Sequence, residues 1–157
     1  MSDRWPWLLL ALMVAVADQL TKWWVLQGFE PGEVRAVLPG FNLVLTFNEG
    51  AAFSLLADAG GWQRGFFIGL TLVVGLVLGI WLMRLERREK GMSLALALIL
   101  GGALGNLVDR VRAGRVTDFL DLYWQQWHWP AFNLADSAIT IGTLLLIVLS
   151  WRSDRRA

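Results

Sequence analysis

Four stretches of this 157-residue chain, about residues 5–26, 65–83, 92–108 and 132–151, are apolar over nearly the length of a bilayer crossing. A helix needs roughly 20 such residues to span hydrocarbon. Lipid offers no water to backbone N–H and C=O groups, so a spanning segment must satisfy them within itself, as a helix does. The sequence therefore predicts a single integral domain over residues 1–157, an all-α membrane protein of four transmembrane helices. A hydrophobic share of 56% in long runs exceeds what a water-soluble domain of this size needs.

Charge sets the orientation. The connection Arg84-Leu85-Glu86-Arg87-Arg88-Glu89-Lys90 and the tail Arg152-Ser153-Asp154-Arg155-Arg156 are rich in Lys and Arg, and Arg4 precedes the first span. Such segments stay on the cytoplasmic side, so both termini face the cytoplasm and residues 27–64 and 109–131 face outward. Ala15-Val16-Ala17 could end a cleavable signal, but the apolar run continues through Trp23-Trp24-Val25-Leu26, which favours an uncleaved helix. In the first outer loop Phe41, Leu43, Leu45 and Phe47 alternate with smaller or polar residues, the period of a strand. Glu49-Gly50 reads as a turn and residues 51–55 as a returning strand or short helix. A small β-sheet and a short helix on the outer (periplasmic) face are expected, able to cradle an extended peptide by strand addition.

Composition removes several chemistries. No cysteine is present, and His128 is the one histidine, so thiolate nucleophiles, disulfides and thiolate or paired-histidine zinc sites are excluded. A net charge of +1 without a basic stripe argues against nucleic acid. What remains is a set of polar residues at the outer ends of apolar spans. A carboxylate at a helix centre costs roughly 2.5–3.5 kcal/mol on insertion scales and less toward the interface. Asp118 and Asp136 stand at such edges and suggest a shared proton and an activated water. Asp121 rivals Asp118, because Asp118-Phe119-Leu120-Asp121 offers two acids in one turn.

Asp18 and Lys22 share a helix face as an ion pair or as part of a substrate site. Asn106 and Arg110 are likewise four apart; the arginine can snorkel, and the deeper amide calls for a partner across helices. Asn133 and Asp136 have the spacing of a helix cap and its third residue, which puts Asp136 at the positive end of a helix dipole. Asp109 is expected to pair with Arg110, Arg112 or Arg115 in a wet loop. Gly75 and Gly79, and Gly101 and Gly105, have the spacing of close helix packing. A Ser–Lys dyad of Lys22 with Ser54 or Ser137 is disfavoured, since Asp18 holds Lys22 charged.

Five blocks in order along the chain resemble the lipoprotein signal peptidase family, also called signal peptidase II. They are Asp18-Gln19-Leu20-Thr21-Lys22, Phe47-Asn48-Glu49-Gly50-Ala51-Ala52-Phe53, Gly105-Asn106-Leu107-Val108-Asp109-Arg110, Val116-Thr117-Asp118-Phe119 and Phe132-Asn133-Leu134-Ala135-Asp136-Ser137. The resemblance implies an aspartic endopeptidase of the bacterial cytoplasmic (inner) membrane. Such an enzyme removes signal peptides from diacylglyceryl-modified prolipoproteins, cleaving before the lipidated cysteine. It makes Asp118 and Asp136 the catalytic pair in preference to Asp121. It places Asn48, Asn106, Arg110 and Asn133 along the site, with Asp18 and Lys22 supporting it. It also implies sensitivity to globomycin-type cyclic peptides, with no metal and no cofactor. A monomer in contact with membrane lipid is expected. The competing reading is a small proton- or cation-coupled transporter, which would place acids at several depths along a path. A scaffold assembled through its glycine faces would leave the buried Asn and Asp residues unexplained.

Overall fold

The computed structural model describes residues 4–49 and 62–154. Four long helices run antiparallel in chain order: α1 (Trp5–Gly28), α2 (Trp62–Arg84), α3 (Lys90–Ala113) and α4 (Leu134–Asp154). Each is long and apolar enough to cross a membrane. The helices overrun the expected apolar cores at their ends, since a helix keeps its backbone bonds after its side chains turn polar. α3 thus continues through Asp109, Arg110 and Arg112 before Gly114 ends it in the left-handed conformation, with φ +76°.

α3 is the central helix and packs against the other three. The buried positions of α1 are Ala11, Ala15, Asp18, Lys22 and Val25, one stripe of alternating four- and three-residue steps. That stripe begins as small apolar residues and becomes charged toward the C-terminal half of the helix. Small residues let α3 approach its neighbours. A Cβ on Gly102 would overlap the Ala135 carbonyl of α4, and one on Gly105 would lie 2.5 Å from Asp18 Oδ2 of α1. Gly101 packs against Ala11 and Val14 as its spacing suggests. Gly75 and Gly79 do not: an added Cβ at either meets nothing within 4 Å. α2 presents most of its surface outward, including Leu72, Val73, Leu76 and Val77. In lipid such exposure costs nothing, because hydrocarbon solvates it.

An antiparallel sheet lies at the end of the bundle where α1 and α3 finish and α4 begins. Its strands are β1 (Val34–Leu38), β2 (Phe41–Asn48), β3 (Val116–Trp124) and β4 (Trp127–His128), in the order β1-β2-β3-β4. β2 matches the alternating segment. β3 is a correction, because a loop was expected over residues 109–131. Its residues Val116 to Phe119 are all buried, so no polar–apolar alternation marks it. The sheet is seated on the helices through Val25, Phe29, Leu45 and Phe119. The expected turn at Glu49-Gly50 reaches beyond the described residues, and the returning segment at 51–55 lies outside them.

Gly102→Ala should lower the unfolding midpoint in detergent, at a cost of about 1–3 kcal/mol for overpacking against backbone. Gly75→Ala, facing open space, should leave the midpoint unchanged or raise it. Equal effects at both positions would contradict the packing described.

Candidate active site

The site is built upward from one buried cation. Lys22 is 2% exposed, and its ammonium has three acceptors: Asp18 Oδ2 at 2.8 Å, Asp109 Oδ2 at 2.8 Å and Asn106 Oδ1 at 2.9 Å. An ammonium carries three protons, so its hydrogen-bonding capacity is filled. The two carboxylates are satisfied in turn. Asp18 Oδ1 accepts from the backbone N–H of Ala135 at 2.9 Å, in the first turn of α4. Asp109 Oδ1 accepts from Gln19 Nε2 at 2.7 Å, and its Oδ2 from the backbone N–H of Thr117 at 3.2 Å. One cluster therefore ties α1, α3, the start of α4 and the start of β3. Asp109 was expected among arginines in a wet loop; it lies instead in the last turns of α3, 9% exposed, because Lys22 and Gln19 reach it.

Asn106 transmits this order outward. Its Oδ1 accepts from Lys22, which aims its Nδ2 at Asp136 Oδ1, 2.8 Å away. Asn133, wholly buried, donates from Nδ2 to Asp118 Oδ1 at 2.7 Å and to Asn106 Oδ1 at 3.2 Å. Asn133 also caps α4: its Oδ1 accepts from the Asp136 N–H at 2.9 Å, and Asp136 Oδ2 accepts from the Asn133 N–H at 3.3 Å. That reciprocal cap was legible in the spacing, and it sets the Asp136 carboxylate at the positive end of the helix dipole.

Asp118 and Asp136 line one cavity of about 800 Å³, together with Asn48, Asn106 and Arg110. Its other walls include Phe47, Leu122, Trp129, Phe132, Ile139 and Ile141, so the acids open onto a largely apolar cleft. Asn48 hydrogen-bonds Asp118, and Arg110 feels the charges of both acids while its guanidinium lies 5.1 Å from the Phe67 ring centroid. The eight residues that the family resemblance assigned to the site or its support thus lie in one connected cluster. Gln19, Asp109 and Thr117 were missed as members of the cluster. Asp109 follows Asn106 by three and Gly105 by four, so the helical face they share was the available signal.

Asp121 is separated from Asp118 by geometry. On a strand, residues three apart face opposite sides of the sheet. Asp121 points away from the cavity and accepts from Asn42 Nδ2 at 2.8 Å. Ser137, the described member of the alternative Ser–Lys pairing, donates its hydroxyl to the Asn133 carbonyl at 2.9 Å, and Lys22 is fully engaged elsewhere.

Burial raises the Asp118 carboxyl from 3.8 to about 7, and the nearby charge of Asp136 pushes it the same way. The Asn133 hydrogen bond, the charge of Lys22 and the Asn48 hydrogen bond act against this rise. Asp118 is 3% exposed while Asp136 is partly exposed, which explains why Asp118 is the acid that tends to keep a proton near neutrality.

Four apolar helices capped by this sheet are the fold of a membrane enzyme. A solved bacterial membrane enzyme, determined in meso at 2.3 Å resolution, superimposes with a TM-score of 0.86 and 32% identity, over 95% of this chain and 89% of that one. The family described as Signal peptidase (SPase) II matches residues 10–152. The lipoprotein signal peptidase of Cupriavidus pinatubonensis (strain JMP 134 / LMG 1197) is 55% identical over 150 residues, 96% of this chain and 85% of that protein. That of Serratia marcescens is 54% identical over 144 residues, 90% of this chain and 84% of its own. The chain belongs to the signal peptidase II family.

Two measurements test the site's electrostatics. Lys22→Met should destabilise the protein by about 3–5 kcal/mol, because Asp18 and Asp109 stay buried without their cation; a wild-type unfolding midpoint would contradict this. Folded Asp118 binds its proton more tightly than the unfolded chain, so between about pH 4 and 7 the native state holds more protons. Stability should therefore fall as pH rises through that window and level off above 7. Asp118→Asn should flatten that slope and be the more stable protein at pH 8.

Proposed function

We propose that this protein removes signal peptides from diacylglyceryl-modified prolipoproteins, cleaving the peptide bond before the lipidated cysteine, with Asp118 and Asp136 as the catalytic pair. The observation that supports it best is that two carboxyl groups, oriented by the amides of Asn133 and Asn106, open onto one mostly apolar cleft. The names of the relatives supply the substrate class, and the apolar walls suit a lipidated, apolar peptide segment.

Asp118 carries the shared proton and Asp136 is ionised. Water between them gives a proton to Asp136 as its oxygen attacks the scissile carbonyl. Asp118 donates its proton to the carbonyl oxygen as charge develops there. The resulting tetrahedral diol collapses when Asp136 returns a proton to the departing amine and Asp118 recovers one from a diol hydroxyl. One water is consumed, two peptide fragments form, and the pair returns to its starting state. No covalent intermediate is required. Like charges so close do not both ionise readily, so the titration belongs to the pair. Arg110 limits the accumulated negative charge, and Asn48 holds Asp118 from the β2 side.

The positive-inside pattern supports a reading with the sheet and the cleft at the outer face of the bacterial inner membrane and both termini cytoplasmic. The protein acts as a monomer bathed in lipid. Globomycin-type cyclic peptides compete for the same cleft.

Asp118→Asn and Asp136→Asn should each lower kcat on a diacylglyceryl-modified prolipoprotein by about 10²–10⁴-fold with the fold intact. Asp121→Asn should keep turnover within about tenfold of wild type, far above either of these. Near-normal activity in either of the first two, or a dead but folded third, overturns the assignment. EDTA should leave the rate unchanged, and loss of activity that zinc restores would point to a metal instead. The alkaline limb of kcat/KM should lie near pH 7, falling as pH rises because the proton on Asp118 is lost.

A further inference from the structure

The two candidate acids flank one hairpin in the chain, Asp118 on its first strand and Asp136 in α4 beyond its second. β3 leaves Asp118, turns through Gln125 at φ +57°, and returns as β4. The returning chain runs straight into Asn133 and Asp136. Its ladder pairs Trp124 with Trp127, Tyr123 with His128, and Leu120 with Phe132. The register of this hairpin therefore contributes to where Asp136 stands relative to Asp118, beside the amides of Asn106 and Asn133 that hold the start of α4. Yet β4 is only two residues long, and short hairpins are marginal without further contacts.

Those contacts lie on the face turned away from the cleft. Asp121 is buried, and its carboxylate joins three strands. Its Oδ2 accepts from Asn42 Nδ2 of β2 at 2.8 Å. Its two oxygens lie 2.9 and 3.0 Å from His128 Nδ1 of β4. A carboxylate partner places the ring proton on Nδ1, so His128 is the donor. The His128 ring also stacks on Tyr123, with centroids 5.3 Å apart and planes at 20°. The hydrolysis described above uses none of these groups.

We propose that Asn42, Asp121 and His128 form a three-strand clamp that fixes the spacing of Asp118 and Asp136, making Asp121 and His128 positioning residues for hydrolysis. This rests on the reading of Asp118 and Asp136 as the reacting pair. Misplacing reacting groups by an ångström can cost about a hundredfold in rate, so partial loosening of the hairpin gives a smaller loss. Loosening also reaches Asp118 itself. The charged groups facing it are Asp136 of α4, Lys22 of α1 and Arg110 of α3, with Asn133 and Asn48 as neutral donors. Entry of water and a wider separation from Asp136 both make the Asp118 proton easier to lose.

The test uses the full-length purified enzyme and a diacylglyceryl-modified prolipoprotein. His128→Ala, at a half-exposed position, should lower kcat about three- to tenfold with KM little changed. It should also move the alkaline limb of kcat/KM to lower pH. His128→Asn, whose amide N–H can stand where Nδ1–H stands, should restore both. Asp121→Asn leaves one acceptor oxygen where two are used and should shift both readouts the same way; it decides the matter should His128→Ala fail to fold. Wild-type kcat and an unmoved limb in these variants would overturn the clamp, as would a reduced kcat with an unmoved limb or without rescue by His128→Asn. Failure of the reading beneath it shows separately, as turnover retained by Asp118→Asn.

Discussion

The arrangement depends on a lysine ammonium buried among helices at the end of an apolar bundle. A charge there is costly unless every proton finds an acceptor and the opposing charges are held close. Lys22 meets that condition with Asp18, Asp109 and Asn106. Each acceptor then carries a second obligation. Asp18 holds the first turn of α4 through Ala135, Asp109 holds the first residues of β3 through Thr117, and Asn106 turns its amide toward Asp136. Glycines make this geometry reachable, since Gly105 lets Asp18 come against α3 and Gly102 lets α4 approach. A cluster that looks like a structural ion pair is thus also what orients the cleft.

The cleft inherits two different environments for two like groups. Asp118 lies buried beneath the sheet, whereas Asp136 is partly exposed at a capped helix terminus. Burial favours the neutral acid, and a helix N-terminus favours the carboxylate. Burial thus gives a proton shared by the pair a preferred home on Asp118. β3 and its returning strand join these environments through a single hairpin.

Much of this was readable in the residues, for identifiable reasons. The four helices are imposed by bilayer thickness, and β2 by its alternation from Phe41 to Phe47. The cap formed by Asn133 and Asp136 follows from spacing. β3 was not readable: with Val116 to Phe119 buried on both faces, it lacks the pattern that identifies a strand with one wet side. That omission is also why Asp118 and Asp121 could not be separated by spacing, since a turn brings them together and a strand sends them to opposite faces. The resemblance to a family favoured Asp118; the strand turns Asp118 toward the cleft and Asp121 away from it. Asp109 was misread because charged residues at a helix end look like the start of a loop, although its step from Asn106 placed it on the buried face.

Everything in the proposed chemistry turns on Asp118 and Asp136 being electrostatically coupled across one cleft, with Asp118 holding the proton. Infrared difference spectra of the carboxylic C=O stretch, assigned by its absence in Asp118→Asn, test this without any substrate. The wild-type band should be present at pH 5, lose half its intensity near pH 7 and be gone by pH 9. In Asp136→Asn, where the neighbouring charge is removed, the same loss should occur at distinctly lower pH. A band that titrates identically with and without Asp136, or the lack of any Asp118 band at pH 5, would contradict the account.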